Sequence, residues 1–220
     1  MKYLILDTET SDLPDYSAPA DDPAQPYLAE FAGYCVEEIA DTGEFIVGDP
    51  YEFLVKPDGW EMKPGATAIN GLTTQFLTEN GKDIGELLHW YTLTVQAGYT
   101  VAAYNSRHDC KVLRGALRRA GMDDLFAQTA NTCLMRACQK REAGVIKASG
   151  KGGWPSLADA CRSFDLPVET GTHRAITGAH GALGVFLTLH KRGLLLPGDV
   201  HYAKEKPQPD RQAALPGMDF

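Results

Sequence analysis

Two acidic residues close an apolar run near the start of the chain, Tyr3-Leu4-Ile5-Leu6-Asp7-Thr8-Glu9-Thr10. The length and branched or aromatic character of the run from Tyr3 to Leu6 predict a buried strand. Residues two apart on a strand point the same way, so Asp7 and Glu9 share one face and Thr8 takes the other. Two carboxylates on one face repel each other unless a cation or a proton lies between them. Oxygen ligands of this kind suit Mg²⁺ or Mn²⁺. A strand ending in a solvated acidic turn would read the same way. The choice therefore rests on what other segments bring to this place.

Two later segments bring candidates. Residues 100–104 read as a short apolar strand that runs into Asn105, and residues 108–120 as a helix with Asp109 in its first turn. A carboxylate there suits the positive end of a helix, which is the plainer role for Asp109. If the strand before Asn105 lies beside the strand of Asp7, however, Asp109 comes close to the acidic pair. His173 closes a polar turn over residues 168–173, just ahead of a long helix expected over residues 174–189.

The elements that must hold these residues follow in order. Residues 11–26 are rich in Pro, Asp and Ala and form a long loop at the end of the first strand. Residues 28–38 read as a second strand. Residues 45–55 read as a third, interrupted at Gly48-Asp49-Pro50. Residues 62–73 read as an extended loop with a Pro-Gly turn, and residues 83–96 repeat apolar positions at helical spacing. Shorter pieces follow: a strand over residues 128–132, a helix over 133–141, and a Gly- and Lys-containing loop over 142–153. A further helix over 156–164 is capped by Ser156, with Asp159 at the capping-box position. Three antiparallel strands followed by alternating helices and strands imply an α/β protein with a central mixed five-stranded sheet flanked by helices.

Size and composition narrow the function. A chain of 220 residues can bury a core as one domain, set here at residues 1–196. Residues 197–220 are Pro-rich and polar and are expected to form a flexible tail. No apolar run is long enough to span a membrane, and the opening residues do not resemble a signal peptide. Five scattered cysteines without a Cys-x-x-Cys pair suggest reduced thiols and a cytoplasmic location. The net charge of −8 excludes a broad basic field. A polyanionic substrate would then be held locally, with metal ions supplying much of the positive charge.

Taken together, these motifs resemble those of the DEDDh 3′–5′ exonucleases, which share the ribonuclease-H-like fold. Asp7-Thr8-Glu9-Thr10 is similar to the family's first motif and Asn105-Ser106-Arg107-His108-Asp109 to its second. The stretch Ile69-Asn70-Gly71-Leu72-Thr73 is similar to the segment after the third strand, and His173-Arg174-Ala175 to the opening of the third motif. The likeness runs from Met1 to about Arg192. It implies a phosphodiesterase with two divalent ions, Mg²⁺ or Mn²⁺, that releases nucleoside monophosphates from single-stranded or frayed 3′ ends of DNA or RNA. By position, Asp7 would bridge both ions, Glu9 would bind the ion on the nucleophile side and Asp109 would support the other. His173 would be the general base. Thr8, Thr10, Asn105, Tyr104 and His108 are the expected substrate contacts. Tyr104 stands where the family often has His, and His108 where it often has Phe.

One position departs from the family. The pattern calls for Asp five residues after His173, and this chain has Gly178. Its same-face neighbours Arg174, Ala175, Gly181 and Ala182 include no carboxylate. The chain would be an active enzyme altered at one codon, a member with weakened metal binding that holds 3′ ends without cutting, or one in which another carboxylate reaches in. In the tail, Gln212-Ala213-Ala214-Leu215-Pro216 is similar to the short peptides that dock bacterial repair proteins on the sliding clamp.

Overall fold

The computed structural model describes residues 1–127, 129–148, 153–168 and 171–198. The sheet is built around β1 (Lys2–Thr10), which pairs antiparallel with β2 (Leu28–Glu38) over its whole length. On its other side β1 pairs in parallel with β5 (Thr100–Ala103), and β5 in parallel with β6 (Asn131–Cys133). The order β3-β2-β1-β5-β6, with antiparallel and parallel pairs, is a mixed sheet as expected.

The strand count differs from expectation. The predicted third strand is two pieces, β3 (Phe45–Val47) and β4 (Tyr51–Leu54), which both pair with β2, giving six strands. Val36 faces Val47 but Gly33 faces Tyr51, so the outer chain carries one extra residue where Gly48 donates its N–H to the Cys35 carbonyl. That is a bulge, and Pro50, which has no N–H, lies within it.

Alternation along β1 decides where its acids go. Tyr3 and Ile5 pack with Tyr34 and Phe186 on one face. Leu4 and Leu6 pack with Leu88, Val101 and Leu113 on the other. The first face is covered by α5 (Leu134–Cys138), α6 (Leu157–Ser163) and α7 (Ala175–Lys191). The second is covered by α3 (Ile84–Gln96) and α4 (Ser106–Arg119). Asp7 and Glu9 continue the odd series toward α7, whereas Thr8 continues the even series toward α4.

Residues 62–73 are not the extended loop expected. They contain α1 (Pro64–Asn70), with Pro at its start and Gly71 in the left-handed conformation at φ 71° at its end. Neither Lys63 nor any other side chain caps its start, and Gly65, Thr67 and Ile69 are weak helix formers. The Pro-then-Gly bracket is the signal that outweighs them. Thr73 caps α2 (Thr74–Asn80) by accepting from the Phe76 N–H. The capping box of Ser156 and Asp159 is formed as read. The expected strand over residues 128–132 begins later, at Asn131, and the helix after it is shorter.

No helix among the described residues is long and apolar enough to cross a membrane. The clamp-like peptide from Gln212 to Leu215 and Lys151 of the 142–153 loop lie outside the described residues.

Candidate active site

A cavity of about 520 Å³ opens where β1 and β5 end against the starts of α4 and α7. Asp7, Thr8 and Glu9 line it from β1. Tyr104, Asn105, His108 and Asp109 come from the turn after β5 and the start of α4, and His173, Arg174 and Gly178 from the start of α7. Three segments far apart in the chain therefore meet at one place, because β5 lies beside β1 and α7 crosses its odd-numbered face.

The acids are poorly provided with donors. The Asp7 carboxylate makes no hydrogen bond with the described residues. Burial, and then the charges of Asp109, Glu9 and Glu30, push its carboxyl well above the usual carboxylate range. Burial also pushes Glu9 up to about 7, with Glu30 and Asp109 adding to the effect against Asn70 and Arg174. Glu9 receives only a long bond from Asn70 Nδ2, 3.4 Å. Asp109 is buried and raised by that burial, while the His108 charge and the Thr8 hydrogen bond oppose the rise.

Asp109 does not cap its helix. Asn105 occupies that position without a side-chain cap bond. Instead Asp109 Oδ1 accepts from Thr8 Oγ1 at 2.8 Å, so it meets β1 on the face opposite Asp7 and Glu9 and reaches the cavity around the strand end.

The other expected residues divide. His173 is exposed on the cavity wall, and its backbone N–H donates to Ile69 O at 3.1 Å. His108 shares a hydrogen bond with the Tyr16 hydroxyl, 3.2 Å through Nδ1, which ties the 11–26 loop to the cavity rim. Tyr104 lines the cavity, but it is buried and its hydroxyl is committed to the carbonyls of Pro155 and Ser156, 3.0 and 2.8 Å. Thr10 does not line the cavity. It is buried and its hydroxyl donates to Asp12 O at 2.6 Å, so its expected role in substrate contact is not supported by its position.

Gly178 lies directly against the Asp7 carboxylate. A Cβ built on it would overlap Asp7 Oδ2 and stand 2.6 Å from Asp7 Cγ. The space that a fourth carboxylate would enter is thus filled by the first. His180 lines a further part of the same cavity, exposed, with Nδ1 3.3 Å from the Tyr34 hydroxyl.

Sequence reasoning missed Glu30. It faces Glu9 across the β1–β2 pairing, beside a one-residue bulge between Glu9 and Thr10. A charged residue inside the apolar run Leu28-Ala29-Glu30-Phe31 was the available signal, since buried carboxylates demand partners. Asn70 was missed for another reason. It is the last residue of α1, and its Oδ1 accepts from Leu72 N at 3.0 Å while Nδ2 turns to Glu9.

The donor set suits a divalent cation. Asp7 and Glu9 are hard oxygen ligands, lack strong protein donors and are destabilised by their own charges. Two carboxylates completed by water and phosphate oxygens are a usual Mg²⁺ environment. Among the described residues, no three His, Cys, Asp or Glu side chains already converge on one ion.

No family model matches the chain, and the search of curated proteins gave no match. The fold is similar to solved structures of exonuclease I. E. coli exonuclease I in complex with a dT13 oligonucleotide has a TM-score of 0.69 and 22% identity, covering 87% of this chain and 41% of that chain. A zinc-bound form of the E. coli complex with single-stranded DNA has a TM-score of 0.65 and 22% identity, with the same coverage. The enzyme of Methylocaldum szegediense has a TM-score of 0.65 and 24% identity, covering 87% of this chain and 40% of that one. The likeness is one of fold, and this chain spans about two fifths of the length of those proteins.

Proposed function

We propose that the chain is a 3′–5′ exonuclease that requires Mg²⁺ or Mn²⁺ and releases nucleoside 5′-monophosphates from single-stranded DNA. The observation that carries this reading is the meeting of Asp7, Glu9, Asp109 and His173 in one cavity, at the strand ends of an exonuclease-I-like fold. The solved complexes of that enzyme with oligonucleotides favour single-stranded DNA over RNA as the substrate.

The reaction is hydrolysis of the last phosphodiester. Water attacks phosphorus, the bond from phosphorus to O3′ breaks, and a shortened strand with a 3′-hydroxyl leaves beside a nucleoside 5′-monophosphate. A cation bound at Asp7 and Glu9 would acidify a coordinated water and neutralise charge on the phosphate. His173 takes the proton of the attacking water. Its main-chain tie to Ile69 fixes the turn that presents it. Asp109, held by Thr8, adds negative charge that draws the cation toward the strand end. Asn105 and His108 line the wall where a terminal nucleotide would lie, and the Tyr104 ring offers it an apolar surface. The Gln212-Leu215 peptide would bring the enzyme to a sliding clamp.

Gly178 favours a second reading, a protein of this fold that holds 3′ ends without cutting. One assay separates the two. The purified chain and a His173→Ala variant are incubated with 5′-labelled single-stranded oligonucleotide and Mn²⁺. Stepwise shortening by the chain, reduced by about 10²–10⁴ in the variant, is expected. Tight binding without shortening establishes the second reading instead.

A further inference from the structure

One cation in the cavity is supplied by the chain itself. Arg174 directs Nε at both oxygens of Glu30, 3.0 and 2.9 Å, and Nη2 at Oε1, 2.5 Å. The same carboxylate accepts from the Ala175 N–H at 3.0 Å. The Glu30 side chain is only 5% exposed, whereas that of Arg174 is 37% exposed and lines the cavity with Asp7, Glu9 and His173. Glu30 therefore grips one edge of the guanidinium and fixes its plane. Nη1 makes no hydrogen bond with the described residues. An Arg pre-oriented in this way is well suited to a phosphate, since its fork need not be ordered on binding.

Gly178 gives this arrangement its purpose. Position 178 supplies no ligand, and the Asp7 carboxylate lies on the helix where one would project. Asp7 and Glu9 can seat one cation, whereas a second would have only Asp7 and Asp109, whose Oδ1 already accepts from Thr8, and α7 adds no carboxylate. The positive charge on that side is Arg174.

We propose that Arg174, locked by Glu30, binds the scissile phosphate directly, and that the site works with one tightly held divalent cation and one guanidinium rather than two cations. This rests on the exonuclease reading above.

The test separates phosphate binding from anchoring of α7. Binding of thymidine 5′-monophosphate and of thymidine is measured with Mn²⁺ for the unaltered chain, Arg174→Gln, Arg174→Lys and Glu30→Gln. Thermal melting checks that each is folded. Arg174→Gln is expected to weaken the monophosphate about tenfold or more and thymidine hardly at all. Arg174→Lys, which keeps the charge but not the fork, falls between. Glu30→Gln keeps one accepting oxygen for the guanidinium but sets an amide N–H against one of the donors that the carboxylate now receives, so it loosens the lock and weakens the monophosphate by about threefold, less than Arg174→Gln. Spin-resonance titration should count one tight Mn²⁺ per chain with the monophosphate bound.

Equal weakening of both ligands in Arg174→Gln, or an equal effect of Glu30→Gln, reduces the pair to a structural anchor. Two tight Mn²⁺ ions overturn the proposal directly. If Arg174→Lys and Glu30→Gln are the only folded variants, an unchanged monophosphate-to-thymidine ratio in Arg174→Lys overturns it as well. In all of these cases the exonuclease reading survives as long as the unaltered chain shortens oligonucleotides. If it neither shortens them nor prefers the monophosphate, that reading falls too.

Discussion

Asp159 and Asp7 are both buried or partly buried acids beside a helix of the same layer, and the protein treats them oppositely. Asp159 accepts from the backbone of Ser156 at 3.0 Å, from that of Ala148 at 3.2 Å and from Arg162 at 2.8 Å. The Ser156 bond leads the effects that hold its carboxyl down at about 2. Asp7 has no such donor, and burial with three neighbouring carboxylates drives it up. The first acid holds a helix end in place. The second is kept in a state that only a proton or an external cation relieves, as the proposed site requires of a ligand.

The contrast can be broken or sharpened by experiment. The largest effect belongs to Asp7→Asn. It should lower hydrolysis by on the order of 10³, about 4 kcal/mol, in an oligonucleotide assay. The same change should raise the melting temperature of the metal-free protein at pH 8, because a repelled charge is removed. A lower melting temperature at that pH would mean that Asp7 is a structural acid like Asp159.

The next effect is of pH. Glu9 sits near 7 in the folded chain against 4.5 unfolded, and Asp7 and Asp109 shift in the same direction. A raised carboxyl favours the folded state below its unfolded value. That contribution is lost as pH rises through the folded value. The metal-free protein should therefore lose up to about 3 kcal/mol between pH 4.5 and 7.5 from Glu9 alone, and Mn²⁺ should restore it at the upper end. Melting curves across this window, with and without Mn²⁺, check both signs.

A smaller effect is expected at Gly178. Ala at this position must displace the Asp7 carboxylate, so the Mn²⁺ dissociation constant should rise about tenfold by calorimetry. An unchanged constant would show that Asp7 tolerates another rotamer at no loss. Asp159→Asn should cost about 1 kcal/mol of stability at neutral pH and leave Mn²⁺ affinity unaltered. Its penalty should shrink as pH falls toward 2, the opposite direction to the Glu9 effect.

Much of this site was legible in the sequence because local periodicity settles it. Strand alternation put Asp7 and Glu9 on one face, and a neighbouring strand running into Asn105 was enough to bring Asp109 near them. What was not legible depends on contacts between distant segments. Nothing near Glu30 in sequence announces that its partner is Arg174, and nothing near Gly178 announces that Asp7 will lie on it. The helix at Pro64–Asn70 was hidden by weak helix formers, and the strand break at Gly48 was visible as an interruption but not as a bulge. Thr10 shows the converse limit, since proximity in a motif did not bring its hydroxyl to the cavity.

The span of the contacts has a consequence for the chain's own synthesis. Thr8 and Asp109 meet across 101 positions, and Glu30 and Arg174 across 144. A nascent polypeptide emerging from the ribosome carries its acids long before it carries His173, so an incomplete chain has no assembled centre. On the exonuclease reading, chemistry toward nucleic acid waits until α7 docks, and a refolding experiment should see nuclease activity return together with burial of that helix, not with the earlier collapse of the sheet.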